Sequence, residues 1–144
     1  MSLTVKKLDS QIEKEAISIL RTEVFINEQG VPPELEMDEF DDSAIHAVAY
    51  HSGIVIATGR LIIDTPNDGR IGRMAVEASV RRTGVGSAVL VFLENEARSN
   101  GIKQIILHAQ DYVKNFYTKH GYIEQGDTFL EAGILHIEMK KNIL

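Results

Sequence analysis

The sequence predicts an α/β-class (α+β) fold: a mixed, mostly antiparallel sheet flanked by helices, with a parallel βαβ unit at its centre. Three observations carry this expectation. Residues 44–50 and 54–63 are apolar and β-branched and are separated by His51-Ser52-Gly53, a hairpin signal. A second turn cluster, Thr65-Pro66-Asn67-Asp68-Gly69, leads into a third strand over 70–76, so the middle of the chain reads as an antiparallel meander. That strand gives way to a glycine-bearing turn, a helical run and an apolar strand over 104–109, an order that requires a local parallel pair.

The flanking elements follow from spacing and punctuation. Residues 3–8 read as a short strand. Asp9 or Ser10 then caps a helix with Ile12, Ala16, Ile19 and Leu20 at helical spacing, and the helix continues through Arg21–Gln29 until Gly30 and Pro32-Pro33 stop it. Residues 34–42 are densely acidic with only three apolar side chains, which reads as a solvated loop or, functionally, as a negative rim that draws a cationic acceptor. Gly59, inside the second meander strand, marks a bulge or a close backbone approach. Val85, Ala88, Val89, Phe92, Leu93 and Ala97 form one mainly apolar helical face, ended by Gly101. Residues 112–120 fit a short helix stopped by Gly121. Residues 122–125 and 134–140 close the chain as strands, the last with Leu135, Ile137 and Met139 on one side.

A chain of 144 residues is expected to be one domain, 1–144, large enough to bury a core. With 15 basic and 21 acidic residues its net charge is −6, which argues against general nucleic-acid binding, where phosphate neutralisation supplies most of the affinity. The chain has no cysteine, so it cannot pass an acyl group through an enzyme thiol or hold a metal by thiolates. No apolar run reaches the roughly 20 residues of a membrane span and the N-terminus has no signal-like apolar core, so a cytoplasmic location is the expectation.

The chemistry centres on Arg81-Arg82-Thr83-Gly84-Val85-Gly86-Ser87, between the third meander strand and the following helix. Glycines let backbone approach a ligand, the helix start supplies N–H groups and the positive dipole end, and two arginines suit phosphate oxygens. A Walker loop is excluded because Gly86 is followed by Ser87-Ala88, and a Rossmann fingerprint because Val89 stands three residues on. The turn instead resembles the acyl-CoA loop of the GNAT superfamily of N-acetyltransferases: Gln or Arg, two residues, Gly, one residue, Gly or Ala, matched by Arg81, Gly84 and Gly86. Phe116-Tyr117-Thr118-Lys119-His120-Gly121-Tyr122 resembles that family's second motif, a tyrosine followed four residues later by Gly and an aromatic. Residues 20–29, Val31-Pro32, His46 and the stretch 129–136 are similar to the YjcF/ElaA-like branch of bacterial acetyltransferases.

The resemblance implies a GNAT fold and direct transfer of acetyl from acetyl-CoA, through a ternary complex, to a primary amine of a small molecule or peptide. The alternative is a non-catalytic acyl-CoA-binding or sensing module, against which the retention of Tyr117 argues; a third reading is an acyltransferase for longer chains, decided by the space near Phe25, Phe116 and Phe129. The resemblance implies that the backbone of Met74, Ala75 and Val76 meets the pantetheine arm and polarises the thioester, and that Arg81, Arg82, Thr83, Gly84, Val85, Gly86 and Ser87 cradle the pyrophosphate. Gln110 stands where many relatives carry an asparagine on the cofactor. Tyr117 matches the family's proposed acid for the departing thiolate, and a phenol near pKa ~10 keeps its proton at neutral pH. An alkylammonium acceptor calls for a base, with Glu28, His46, His108 and His136 as candidates. Glu28 is the first choice, and Glu28, His46 and His136 are also the expected acceptor contacts. No His and carboxylate spacing suggests a metal. The likeness further admits a homodimer.

Overall fold

Residues 2–144 are described in the computed structural model of the protein; Met1 lies outside them. Among the described residues the β-branched runs form seven strands, β1 (Thr4–Lys7), β2 (Ile45–His51), β3 (Ile54–Ile63), β4 (Asp68–Val76), β5 (Gln104–Gln110), β6 (Ile123–Glu131) and β7 (Ile134–Asn142). They make one sheet in the order β1-β2-β3-β4-β5-β7-β6, in which every neighbouring pair is antiparallel except β4 and β5. Helices α1 (Gln11–Arg21), α2 (Pro33–Glu36), α3 (Val85–Ser99) and α4 (Lys114–Lys119) complete the fold. The expected mixed sheet and its βαβ centre are both present. No helix among the described residues is long and apolar enough to cross a membrane.

The α3 stripe Val85, Val89, Leu90, Leu93 and Ala97 is buried against one face of the sheet, where Ala47, Ala49 and Ala57 leave room for the helix. Gly59 allows the closest approach: a Cβ there would sit 2.6 Å from Met74 Sδ and 3.0 Å from side-chain carbons of Val89 and Leu93. The bulge anticipated at Gly59 is also present, but its extra residue belongs to the partner strand. Thr58 pairs with Ala75 and Arg60 with Gly72, so Gly59 faces two residues, Arg73 and Met74, and Arg73 takes φ 50°. The insertion reverses which side chains of β4 face which layer. Ile71 packs with α3, whereas Ala75 packs with Leu20 and Val24 on the opposite face.

That opposite face is covered by α1, and here the sequence reading needs correction. Ser10 is the cap, accepting the Glu13 N–H at 3.2 Å, but Ile12 and Ile19 are 80% and 64% exposed. The buried stripe is Glu13, Ile17, Leu20 and Arg21. Two charged residues enter it because each is paired: Glu13 accepts from Lys6 and from the Tyr50 hydroxyl, both at 2.7 Å, and Arg21 meets carboxylates on the following loop. The helical path does continue past Arg21, but as a π-helical segment, Thr22–Glu28, in which the Gln29 N–H bonds Val24 O at 3.2 Å. Such wide turns are characteristic of functional sites.

The closing strands also differ from expectation. β6 extends to Glu131 and joins β7 through Ala132-Gly133, with φ 51° and 77°, a two-residue turn of the type I′ class. Sequence pattern ended β6 near Gln125 because the strand is largely exposed and is interrupted by an irregularity between Gln125 and Phe129. On β7, Ile137 and Met139 are buried as expected, but Leu135 is 43% exposed.

Alanine at φ 51° is strained, and Asn-Gly is the favoured pair in a type I′ turn. Ala132→Asn is therefore expected to stabilise the fold by about 0.5–1 kcal/mol. Urea unfolding should show a higher midpoint at unchanged slope; an unchanged or lower midpoint would contradict the turn assignment.

Candidate active site

β4 and β5 pair only through Asp68, Gly69 and Arg70 with Gln104, Ile105 and Ile106. Both strands run on, to Val76 and Gln110, without further pairing between them. The gap opens into a cleft of about 1160 Å³. Its walls come from the π-helical segment (Val24, Phe25, Glu28), the loop after it (Leu35, Phe40), the edge of β4 (Met74, Val76) and α4 (Phe116, Tyr117). Beyond the gap lie His108, Glu131 and His136.

The glycine turn stands at one end of this cleft. Gly84 takes φ 90° and begins α3 with no side-chain cap, so the N–H groups of Val85, Gly86 and Ser87 open the helix without intrahelical acceptors. Arg82 is also left-handed, at φ 64°, and makes no ion pair among the described residues. The Ser87 hydroxyl is 2.9 Å from His120 Nε2, and the Phe116 ring lies against Gly86. His120 was not anticipated; it immediately precedes Gly121 in the tyrosine motif, whose pattern specifies the tyrosine, the glycine and the following aromatic. Arg81 behaves differently from its neighbours. Its guanidinium forks onto Glu28 with bonds of 2.6 and 2.7 Å, and its Nε donates to Val76 O at 2.9 Å. The pair ties the π-helical segment to the turn. It also holds the Glu28 carboxyl below its ordinary range, through the Arg81 hydrogen bond first, which weakens Glu28 as a proton acceptor.

The acidic stretch is not simply a solvated loop: three of its six carboxylates, Glu36, Asp38 and Asp41, are paired with arginines, while Glu34, Glu39 and Asp42 remain exposed. Glu36 and Asp41 are buried against Arg21, whose Nη1 reaches Asp41 at 2.6 Å and whose Nη2 reaches Glu36 O at 3.0 Å. Arg60 takes Asp38 with two bonds of 2.7 Å and shares Asp41 at 3.0 Å. Arg73, aimed by the β4 bulge, bonds Asp38 at 3.2 Å and the carbonyls of Leu35 and Glu36 at 3.1 and 3.0 Å. Three arginines thus neutralise three carboxylates and clamp residues 35–41 as a wall of the cleft. Burial pushes the Asp41 carboxyl up, but bonds from Arg21 and the Asp38 N–H, with the charge of Arg60, outweigh it and hold the group at about 2. Composition signals such a run as polar; only the tertiary structure reveals that its partners stand on α1, β3 and β4.

The remaining candidates divide between two places. Tyr117 is buried on α4 between Phe116 and Tyr122, with ring centroids 5.0 and 5.9 Å away, and still lines the cleft. Its hydroxyl has no hydrogen-bond partner among the described residues, and burial alone pushes it up to about 12. Tyr122 is core, as expected, donating to Glu94 at 2.8 Å. Gln110 donates to Gln29 at 2.8 Å, joining the end of β5 to the π-helical segment. His136 and His108 lie on the cleft, both beside Glu131. His46 does not: its Nε2 is held 2.8 Å from Asp41 O, in a separate hollow of about 390 Å³ beside α1. The structure therefore separates His46 from the other expected acceptor contacts. Glu131 was missed because Ala132-Gly133 was not read as a turn; read so, it places Glu131 opposite Ile134 and Phe129 opposite His136. No group of three His, Asp or Glu residues with metal-ligand geometry occurs among the described residues.

Comparison with known proteins accords with this arrangement. The family model described as "Acetyltransferase (GNAT) domain" matches residues 8–143. The uncharacterized N-acetyltransferase YjcF of Bacillus subtilis (strain 168) is 36% identical over 143 residues, covering 99% of this chain and 100% of its own. The crystal structure of Escherichia coli ElaA superposes with a TM-score of 0.85 at 26% identity, covering 97% of this chain and 99% of that one. An acyl-CoA N-acyltransferase from Pseudomonas aeruginosa superposes with a TM-score of 0.82 at 28% identity, over 97% and 98% of the two chains.

Arg21→Met leaves Glu36 and Asp41 buried without their main partner, and is expected to cost about 3–5 kcal/mol in urea unfolding. The same network sets an acid limit. Asp41 is held below its unfolded value, so it contributes stability above about pH 4 that is lost as pH falls toward 2. Unfolding free energies measured from pH 6 downward should decline over that window, and less steeply in Arg21→Met; identical slopes would contradict the clamp.

Proposed function

The chain belongs to the GNAT acetyltransferase family and is an acyltransferase with acetyl-CoA as its cosubstrate, and from this premise we propose that it transfers the acetyl group directly to a primary amine of a small molecule or peptide. The observation that carries the reading is the gap between β4 and β5, with an uncapped helix start at one end and an unpartnered tyrosine hydroxyl on the cleft wall. The pyrophosphate sits on the N–H groups of Val85, Gly86 and Ser87, with Arg82 adding charge. Arg81 holds Glu28 and, through that bond, the helical wall, so its part in phosphate binding is secondary. The pantetheine arm runs along the unpaired edge of β4 at Met74–Val76, whose backbone N–H groups can polarise the thioester carbonyl.

The neutral amine attacks the thioester carbon, and a C–N bond forms as the C–S bond breaks. The Tyr117 proton passes to the departing sulfur, and the phenolate recovers a proton from the positively charged nitrogen of the adduct. A hydroxyl pushed up to about 12 stays protonated at neutral pH, as a donor to the departing thiolate must. Gln110 and Gln29 close the cleft between β5 and the helical segment.

Acetyl-CoA should raise the melting temperature where ATP does not, and free thiol should then appear with at least one member of a primary-amine panel. Tyr117→Phe is expected to lower kcat about 100-fold while leaving the acetyl-CoA stabilisation intact. A shift without thiol release from any amine would favour a non-catalytic acyl-CoA-binding module, and an unchanged kcat in Tyr117→Phe would remove the acid assignment.

A further inference from the structure

Beyond the gap, β5, β7 and β6 carry a group of side chains that the mechanism above leaves unused. Ile105, Leu107 and Ala109 of β5 are buried in the core cluster of α3, so His108, between them in the alternation, faces the other side of the sheet. Its cross-strand partner on β7 is Glu138, and His136 of β7 pairs with Phe129 of β6. The type I′ turn then sets Glu131 at the end of β6. On that side His108, Glu131 and His136 line the cleft directly.

The hydrogen bonds assign the protons. His108 Nδ1 is 3.0 Å from Glu131 Oε1, and a carboxylate only accepts, so in the neutral ring Nδ1 carries the hydrogen and Nε2 the lone pair. That Nε2 is 3.6 Å from Glu138 Oε1, too far for a hydrogen bond but close enough for the carboxylate to stabilise a proton arriving there. His136 cannot compete for Glu131 in its neutral form. Its Nδ1 hydrogen goes to Ile134 O at 2.7 Å, which leaves a bare Nε2 3.6 Å from Glu131 Oε2. The His108 ring is further fixed by the Phe129 ring, edge-on at 5.0 Å, which itself stacks on His136 at 6.0 Å. Glu28, the residue first expected in this role, is instead neutralised by Arg81.

We propose that His108, oriented by Glu131, is the catalytic base that takes a proton from the acceptor ammonium; the inference rests on the amine-acetyltransferase reading and deepens it. An alkylammonium arrives on the sheet face that bears two carboxylates and gives one proton to His108 Nε2. The freed amine attacks the thioester presented through the gap. Of the two protons the nitrogen loses, the first leaves to solvent by way of His108, and the second replaces the one Tyr117 gives to the thiolate. His108 touches the substrate in this account; Glu131 acts through it and is a positioning residue. The groups facing the imidazole are Glu131 on β6 and Glu138 and His136 on β7, with Arg73 of β4 acting on Glu131 from across the cleft. The Glu131 hydrogen bond, against opposing burial and with help from both carboxylate charges, raises His108 above its ordinary value. The base is therefore unprotonated only above that raised value, and activity must rise with pH through it.

The experiment has two arms. In the first, ring NMR follows the titration of the histidines, with His108 identified by its loss in His108→Gln. Its midpoint should lie above the ordinary 6.5 and fall toward it in Glu131→Gln. An unshifted midpoint in the wild type, or one that Glu131→Gln leaves unmoved, overturns the dyad without reference to activity. In the second, kcat/KM is measured against pH with an alkylamine that the wild type acetylates. His108→Gln should lose roughly 10²–10⁴-fold and lose the acid limb, while Glu131→Gln should shift that limb to lower pH. Both variants should keep the thermal shift with acetyl-CoA, which shows that they fold and bind. A persistent acid limb in His108→Gln overturns the base assignment alone. Failure of the wild type to acetylate any alkylamine overturns the amine reading and the base together.

Discussion

The arrangement of the site depends on the parting of two parallel strands. β4 and β5 share three residue pairs and then separate, although each continues for several residues. A parallel ladder left open inside a sheet sacrifices backbone hydrogen bonds. Just beyond the last pair, β4 carries its extra residue at Arg73 and Met74, opposite Gly59, where a Cβ would meet Met74 Sδ at 2.6 Å. The freed edge of β4 lies between the uncapped start of α3 and the His108 cluster, both of which line the same cleft.

The same bulge links the gap to its covering wall. It aims Arg73 at Asp38 and at the carbonyls of Leu35 and Glu36, where Arg60 and Arg21 complete a set of three guanidinium and three carboxylate groups. Paired charges under this degree of burial contribute more to geometry than to net stability, since each ion loses hydration on the way in. Arg60 Nε, buried without a partner, is a visible cost of packing three guanidinium groups together. The wall they hold includes Leu35 and Phe40, and Phe40 is also covered by Arg70, 5.2 Å from its ring centre. On the other side of the cleft the Arg81–Glu28 fork and the Gln110–Gln29 bond hold the π-helical segment. Helix, loop, turn and strand ends are thus fixed to one another around a single opening.

The sheet, the βαβ centre, the glycine turn, Gly59 and the placement of Tyr117 were legible in the sequence because each rests on local chemistry: alternation, turn residues, a missing Cβ, a motif at fixed spacing. Ile12 and Ile19 misled because helical periodicity counts apolar residues, whereas α1 buries Glu13 and Arg21 through partners far along the chain. Residues 34–42 misled for the same reason, since charge density is visible in sequence and charge pairing is not. Glu28 is near the cleft as expected, yet its partner Arg81, 53 positions later, alters what its carboxyl can do. Glu131 was the instructive omission. The signal was local, a two-residue Ala-Gly turn between short alternating runs, but the exposed and irregular β6 hid it.

Acetyl-CoA is proposed to enter the β4–β5 gap with its phosphates at the start of α3. Amide hydrogen exchange with and without acetyl-CoA tests it most directly, residue by residue. Exchange should slow at Met74–Val76 and at Gly84–Ser87, with little change along β1 and β2. Protection confined to other surfaces, or none at Met74–Val76 under saturating acetyl-CoA, would contradict it.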